Sequence, residues 1–321
     1  MSPKIVVVGS ANTDFVLTVP TLPSHGETVL GDQFRMVRGG KGANQAVAAA
    51  RLGAEVTLVA RLGTDSFGDE ALAAYQREGI HTQFILQDPD IHSGVALIMV
   101  NENGENLIGV GPGANSHLSV ENVQAAETAI QEADCVLVQL EVPLGVVQAA
   151  VEIARRNDVK VILNPAPARQ IPREILEAVD YLTPNETEAA ILAGKNPSEM
   201  GSDSLPELAS ILGVPNLVVT LGSKGACILQ NGQTDLVPPF PIKPVDTTAS
   251  GDAFNGALAV ALARGEDLSR AVRFANAAGA ITATRPGAQP SLPTEEELHQ
   301  FMVSPAPGSN PAVPDAVDSF G

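Results

Sequence analysis

Ile5-Val6-Val7-Val8 is an unbroken run of β-branched residues with no polar position on either side of the pleat, which predicts a strand buried on both faces of a parallel sheet. Similar runs recur at 56–59, 135–140, 159–163 and 217–221. Between them, at 43–52, 67–79, 119–131, 144–156 and 186–193, Ala and Leu return at the spacing of one helix face, and a last helix is expected at about 294–302. Strands alternating with amphipathic helices predict βαβ units. The expected fold is α/β, a central, mostly parallel sheet flanked by helices on both faces.

Two regions break the rhythm. Residues of about 15–37 and 92–110 are rich in Val, Thr, Leu and Gly, alternate in the manner of strands, and carry turn signals such as Glu102-Asn103-Gly104. They predict a small β-sheet lid over the strand ends, where α/β sheets bind ligands and where a cover excludes water. Beyond position 303 the composition turns to Pro, Ser and Ala, which cannot build a core, so 304–321 is expected to be a disordered tail and 1–303 the folded domain.

Charge removes some partners from consideration. The 321 residues carry 19 Lys plus Arg against 37 Asp plus Glu, a formal net charge of −18, which repels nucleic acid and anionic membrane at long range. Nucleotide phosphates are not excluded, because local amides, a few cations and a divalent metal decide that contact. Cys135 and Cys227 lie inside apolar β-like runs and read as small buried hydrophobes, which fits a reducing cytoplasm. No apolar run reaches membrane-spanning length, and the one after Lys4 is too short for a signal peptide, so a cytoplasmic, unexported protein is expected.

The candidate chemistry sits in four places. Asp246-Thr247-Thr248-Ala249-Ser250-Gly251-Asp252-Ala253-Phe254-Asn255-Gly256 opens directly into an apolar helical stretch. A helix that starts at small residues offers unpaired N–H groups and the positive end of its dipole to a phosphate. Gly251 lets the backbone approach, and Asp252, in the first turn, can take a proton from an attacking hydroxyl. Taken alone, Ser-Gly-Asp is more often an ordinary helix cap. Gly39-Gly40-Lys41-Gly42-Ala43-Asn44-Gln45-Ala46 opens another helix, where amide donors, the Lys41 ammonium and the Asn44 side chain can hold sugar hydroxyls; its spacing is not that of a P-loop. Asn12 and Asp14, two apart after the first strand, share one face of an extended chain and can grip vicinal hydroxyls, although an Asx turn explains them as well. Glu141 ends the strand Val138-Gln139-Leu140 on the ligand-binding side of the sheet.

With these pieces the chain resembles the ribokinase-like (pfkB) carbohydrate kinase family. The 39–46 and 246–256 runs look like its two signatures. Asn164-Pro165-Ala166-Pro167-Ala168-Arg169, Thr183-Pro184-Asn185-Glu186-Thr187-Glu188 and Thr220-Leu221-Gly222-Ser223-Lys224-Gly225 match in order between them, so the resemblance spans about 1–303. It implies ATP-dependent phosphorylation of D-ribose at its 5-hydroxyl. By position, Asn12, Asp14, Gly40, Lys41, Asn44 and Glu141 would bind the sugar. Asp252 would be the base and touch the sugar too, and the amides of Ala249, Ser250, Gly251 and Asp252 would form the anion hole. ATP would meet Asn185, Thr220, Gly222, Ser223, Lys224, Gly225, Gly251 and Asn276, and Glu188 would lie near Mg²⁺ through water. Asn185 and Glu188 also read as a capping box, which is compatible with both roles. A K⁺ site would fall to Asp246, Thr248, Thr282, Arg285, Gly287 and Ser291, with Arg285 and Gly287 giving backbone carbonyls because a guanidinium has no acceptor.

The family also implies a homodimer, which the lid strands could form by pairing edge to edge between subunits. Arg38 departs from the family pattern, where Pro is expected. Other readings on the same fold are a kinase of fructose or adenosine, or a sensor of sugar or nucleotide that has lost turnover.

Overall fold

Side chains of the first strand, β1 (Lys4–Val8), alternate between two separate cores: Ile5 and Val7 enter one, Val6 and Val8 the other. A strand with no polar face has to be covered twice. The computed structural model, which describes residues 2–196 and 205–303, shows what covers it. The tail expected at 304–321 lies outside the described residues.

Numbered along the chain, the main sheet contains β1, β4 (Glu55–Gly63), β5 (Ile85–Asp88), β8 (Cys135–Gln139), β9 (Lys160–Asn164), β10 (Tyr181–Leu182), β11 (Asn216–Thr220), β12 (Ala226–Gln230) and β13 (Gln233–Val237). Their order is β13-β12-β11-β10-β9-β8-β1-β4-β5. Every pair from β11 to β5 is parallel, and only the pairs β11–β12 and β12–β13 are antiparallel, so β12 alone runs against the rest. Asn231 and Gly232, both at positive φ, turn β12 into β13.

One face is packed by α1 (Lys41–Arg51), α2 (Ser66–Arg77), α9 (Ser250–Ala263), α10 (Leu268–Ala283) and α11 (Glu295–Val303). The other is packed by α3 (Val120–Ala125), α4 (Glu127–Gln131), α5 (Leu144–Arg156), α6 (Arg173–Leu176), α7 (Glu186–Leu192) and α8 (Leu205–Leu212). The single helix expected over 119–131 is thus two. At Ala126, with φ −92° and ψ 6°, the amide bonds Val123 O three residues back and interrupts the α-helical ladder. Cys135 and Cys227 are free and buried, as their apolar surroundings predicted.

The irregular regions form a second, four-stranded sheet of order β3-β2-β6-β7, made of β2 (Asn12–Val19), β3 (Gln33–Gly39), β6 (Gly94–Asn101) and β7 (Asn106–Gly111). The β6–β7 turn is held by the Asn101 carbonyl side chain, which accepts the amides of Asn103 and Glu105. β2 leaves β1 after only Gly9-Ser10-Ala11, so the small sheet begins at the carboxyl end of the main one. Its faces differ. Asn12 and Asp14 are buried on one. On the other, Phe15 stands opposite Met36 and Leu97 in register, and Phe34, Met36 and Leu97 are 60%, 55% and 61% exposed.

Candidate active site

The turn from β1 to β2 runs beneath the start of α1 and caps it. Ser10 O accepts the Ala43 amide at 2.8 Å, Ser10 Oγ accepts the Gly42 amide at 3.4 Å, and Glu141 Oε2 accepts the Lys41 amide at 3.0 Å as well as the Ser10 hydroxyl. Of the amides expected to meet sugar hydroxyls, those of Lys41, Gly42 and Ala43 are thus spent within the chain. The first three helical N–H groups are satisfied within the chain, which leaves the side chains of Lys41 and Asn44 to face a ligand. Glu141 caps this helix in the same arrangement and keeps its second oxygen.

Asp252 is 6% exposed, at the third position of α9. Asn44 Nδ2 donates to its Oδ2 at 2.9 Å and Gln45 Nε2 to its Oδ1 at 3.1 Å. Gln45 is itself held by Gln139, and its amide also meets Asn164 Oδ1. From there the chain of bonds continues from Asn164 to Thr183 O, from the Thr183 hydroxyl to Asn255, and from Asn255 Nδ2 back to Gly251 O at 2.8 Å. Polar residues at the ends of β8, β9 and β10 thus fix the first turn of α9, at the carboxyl edge of the sheet. The same two helices touch without a side chain between them. A Cβ on Gly256 would fall 2.7 Å from Ala48 Cβ and 2.9 Å from Gln45 O, so only glycine lets α9 lie this close to α1.

Ahead of Asp252, Ala249 adopts the left-handed conformation at φ 60° and ends the turn into the helix. The amides of Gly251 and Asp252 meet no acceptor among the described residues, and the space where a Gly251 side chain would stand is open. Ser250 differs from the expectation for the 249–252 amides, because its N–H donates to Thr247 O at 3.2 Å. Two unpaired amides at a helix start still make an anion trap.

The charges here are unbalanced. Burial, the neighbouring carboxylates of Glu141 and Asp252, and an opposing pull from Lys41 leave the Asp14 carboxyl with a pKa raised to about 7. Burial likewise raises Asp252, against the Lys41 charge and the bonds from Asn44 and Gln45. Burial works to lower Lys41, but the fields of Asp252, Glu141, Glu188 and Asp14 outweigh it and keep the ammonium firmly protonated. Asn44 Oδ1 is buried with no partner among the described residues, an acceptor beside Asp252 that suits a hydroxyl donor. Asn12 is anchored by Asn115, whose Nδ2 donates to its Oδ1 at 2.7 Å.

Asn185 and Glu188 form the capping box of α7, each side chain accepting the other's amide at 2.8 Å. Burial raises the Glu188 carboxyl, and the fields of Lys41 and Asp252 reach it, so it borders the same space. Thr220 pairs with Asn185 at the strand ends. Gly222, Ser223 and Lys224 are exposed, while Gly225 lies against Val237 and Pro239. Asn276 reaches the neighbouring carbonyls of Val237 and Pro238.

Despite partial burial, Asp246 is held below the usual carboxylate range by Thr248 and by the Gly287 amide at 2.8 Å. Thr282 and Ser291 are fully buried, with their hydroxyls donated to Ala278 O and Ala288 O. The Arg285 guanidinium is turned onto Glu297 in a bidentate pair, which leaves only its backbone oxygen on the loop side.

A model of the pfkB family of carbohydrate kinases matches residues 2–295. The chain belongs to this family. A ribokinase of Haemophilus influenzae is 43% identical over 305 residues, covering 94% of this chain and 99% of its own. A deoxyribokinase of Salmonella typhi is 36% identical, covering 93% and 98%. The solved structure of Arabidopsis thaliana ribokinase complexed with ribose and ATP superposes with a TM-score of 0.85 at 32% identity, covering 95% and 100%. As a pfkB member the chain is a kinase, an enzyme that transfers a phosphoryl group to an alcohol.

Sequence reasoning did not find Ser10, Gln45, Gln139, Asn115 or Asn255 as site residues. Gln45 had a signal, four positions after Lys41 on the same helix face. Asn115 had none, since an isolated Asn in a loop shows its partner only in three dimensions.

Proposed function

We propose that this kinase uses ATP to phosphorylate D-ribose at its 5-hydroxyl. The observation that carries the reading is the bond from Asn44 to Asp252, which joins a polyol-binding face to a buried carboxylate beside two unpaired helix-start amides. The similarity to a ribokinase, and to a ribokinase structure complexed with ribose and ATP, supports ribose and ATP as the substrate pair.

In the proposed step Asn12, Asp14, Lys41 and Asn44 hold the ring hydroxyls. Asp252 accepts the proton of the attacking hydroxyl, and the free amides at 251 and 252 stabilise charge on the transferring phosphoryl group. Asn185, the 220–225 loop and Asn276 border the nucleotide. No three acidic, His or Cys side chains among the described residues converge to ligate a metal directly. Carboxylates nonetheless outnumber the single Lys41 charge here, which fits a hydrated Mg²⁺ held mainly by phosphates, and Glu188 would hold it through water. That ion would supply neutralisation of phosphate charge. The donors proposed for K⁺, around Asp246, Thr248, Thr282, Arg285, Gly287 and Ser291, are all oxygen, which suits a hard cation.

The reading takes 1–303 as one catalytic unit with the small sheet as its lid, in a cytoplasmic enzyme, which the two free buried thiols support. It includes a homodimer in which the lids meet, supported by the exposed Phe34, Met36 and Leu97. Sedimentation at micromolar concentration should give a dimer that Met36→Lys shifts toward monomer, and a monomeric wild type would rule the dimer out. The function itself is tested by coupled ADP release over D-ribose, 2-deoxyribose, fructose and adenosine, with and without K⁺. D-ribose should give the highest kcat/KM. A higher value for 2-deoxyribose would move the reading to the deoxyribokinase side, and no turnover with any acceptor would leave the sensor.

A further inference from the structure

Gln45 on α1 and Gln139, the last residue of β8, are both fully buried behind Asp252. A primary amide in a dry interior is costly unless its polar atoms are paired. The polarity of both amides follows from one backbone carbonyl. Thr183 O can only accept, and Asn164 Nδ2 donates to it at 3.1 Å, so Asn164 Oδ1 faces the other way, onto Gln45. Gln45 Nε2 accordingly points at Asn164 Oδ1 and at Asp252 Oδ1, both at 3.1 Å, which commits both of its N–H groups. Its Oε1 is left toward β8, where Gln139 Nε2 donates to it at 2.7 Å.

At the far end of this chain Gln139 Oε1 has no partner among the described residues, and it is packed where a Cβ on Gly9 would collide with it. Turning the Gln139 amide over would set that oxygen against Gln45 Oε1. The orphan acceptor is thus what it takes to keep every other amide in the chain aimed with its donors toward Asp252. The two oxygens of Asp252 are held differently. Oδ1 meets Gln45 in the interior, whereas Oδ2 meets Asn44, whose own Oδ1 is unpartnered and which shares the first turn of α1 with Lys41.

We infer that Gln45 and Gln139 are positioning residues for the reaction: they hold Asp252 Oδ1 as a fixed anchor and leave Oδ2 as the oxygen that takes the proton of the attacking hydroxyl. This rests on the reading of Asp252 as the base. The hydroxyl proton goes to Oδ2 as the hydroxyl oxygen bonds to phosphorus and the bond from phosphorus to ADP breaks. Both glutamines keep their own protons throughout.

The charged groups facing Asp252 are Lys41 on α1, Asp14 on β2, Glu141 beyond β8 and Glu188 on α7, and replacing either glutamine by Met leaves all of them in place. The test is single-turnover phosphoryl transfer across pH in the full chain, to whichever acceptor gives the highest kcat/KM, for wild type, Gln45→Met, Gln139→Met and the double variant. Without the donor on Oδ1 the ionised carboxylate is less favoured, so the acid limb should move to higher pH. On that limb the rate should fall roughly 10–100-fold in Gln45→Met, the loss of one hydrogen bond to a charged group, and less in Gln139→Met. Above the limb the loss should shrink, and KM for the acceptor should stay near its wild-type value. The double variant should be no slower than Gln45→Met, because Gln139 acts only through Gln45. A loss of the same size at every pH, a limb that stays in place, or additive losses would overturn the inference. Should Gln45→Met fail to fold, the limb is read in Gln139→Met, and an unmoved limb there counts equally against it. Failure of the base reading looks different, since Asp252→Asn would then turn over at close to the wild-type rate.

Discussion

Asp252→Asn should lower kcat by roughly 10²–10⁴-fold, the range for a positioned general base. The substitution is nearly isosteric and keeps one acceptor oxygen. Asn44 and Gln45 each donate to one carboxylate oxygen of Asp252, so the amide leaves one of them facing an N–H. Asn44 can turn its unpartnered Oδ1 to meet it. The fold and the sugar face should therefore survive, and KM should change far less than kcat. The acid limb of the kcat profile should vanish too. Burial raises the Asp252 carboxyl, so in wild type the base is lost to protonation as pH falls. Single-turnover kinetics across pH would measure both effects, and turnover within tenfold of wild type would remove Asp252 from the role of base.

Asp14→Asn should separate stability from function. With its pKa raised to about 7, Asp14 is protonated in acid and accepts hydroxyl protons fully only above that pH, so kcat/KM for the sugar should fall as pH drops below about 7. Replacing the carboxylate with an amide should raise KM about 10²-fold, since a site built around a charged acceptor loses its strongest hydrogen bond. Stability should move the other way. An unfolded Asp loses its proton near pH 4, while the folded one keeps it to about 7. Stability is therefore lost as pH rises between those values, by an amount on the order of 4 kcal/mol that levels off above them. The unliganded variant should lack this decline and melt several degrees higher than wild type at pH 8. Calorimetric melts from pH 5 to 8 would check it, and identical pH slopes for both proteins would refute it.

Much of this architecture is legible in the chain because burial on two faces leaves a mark. β1 and β8 have apolar interiors, and α5 shows the one-sided pattern, so these three could be placed within a residue or two, whereas α8, α10, β5 and β13 were not predicted. Short elements were harder. β10 has two residues and exists because β9 and β11 flank it, a tertiary cause with no local period. Motifs placed Lys41, Asn44 and Asp252, but not the division of labour among the α1 amides. That division depends on how Ser10 and Glu141, 131 positions apart, meet beneath one helix.

The bare contact at Gly256 has a consequence for selectivity. With α1 and α9 pressed together there, the separation between the proposed sugar face and the proposed phosphate turn is a built-in ruler rather than an adjustable gap. An acceptor is then judged by how far its terminal oxygen stretches from its anchored end. Longer or shorter molecules would be rejected by misplacement, even where every anchoring bond could form.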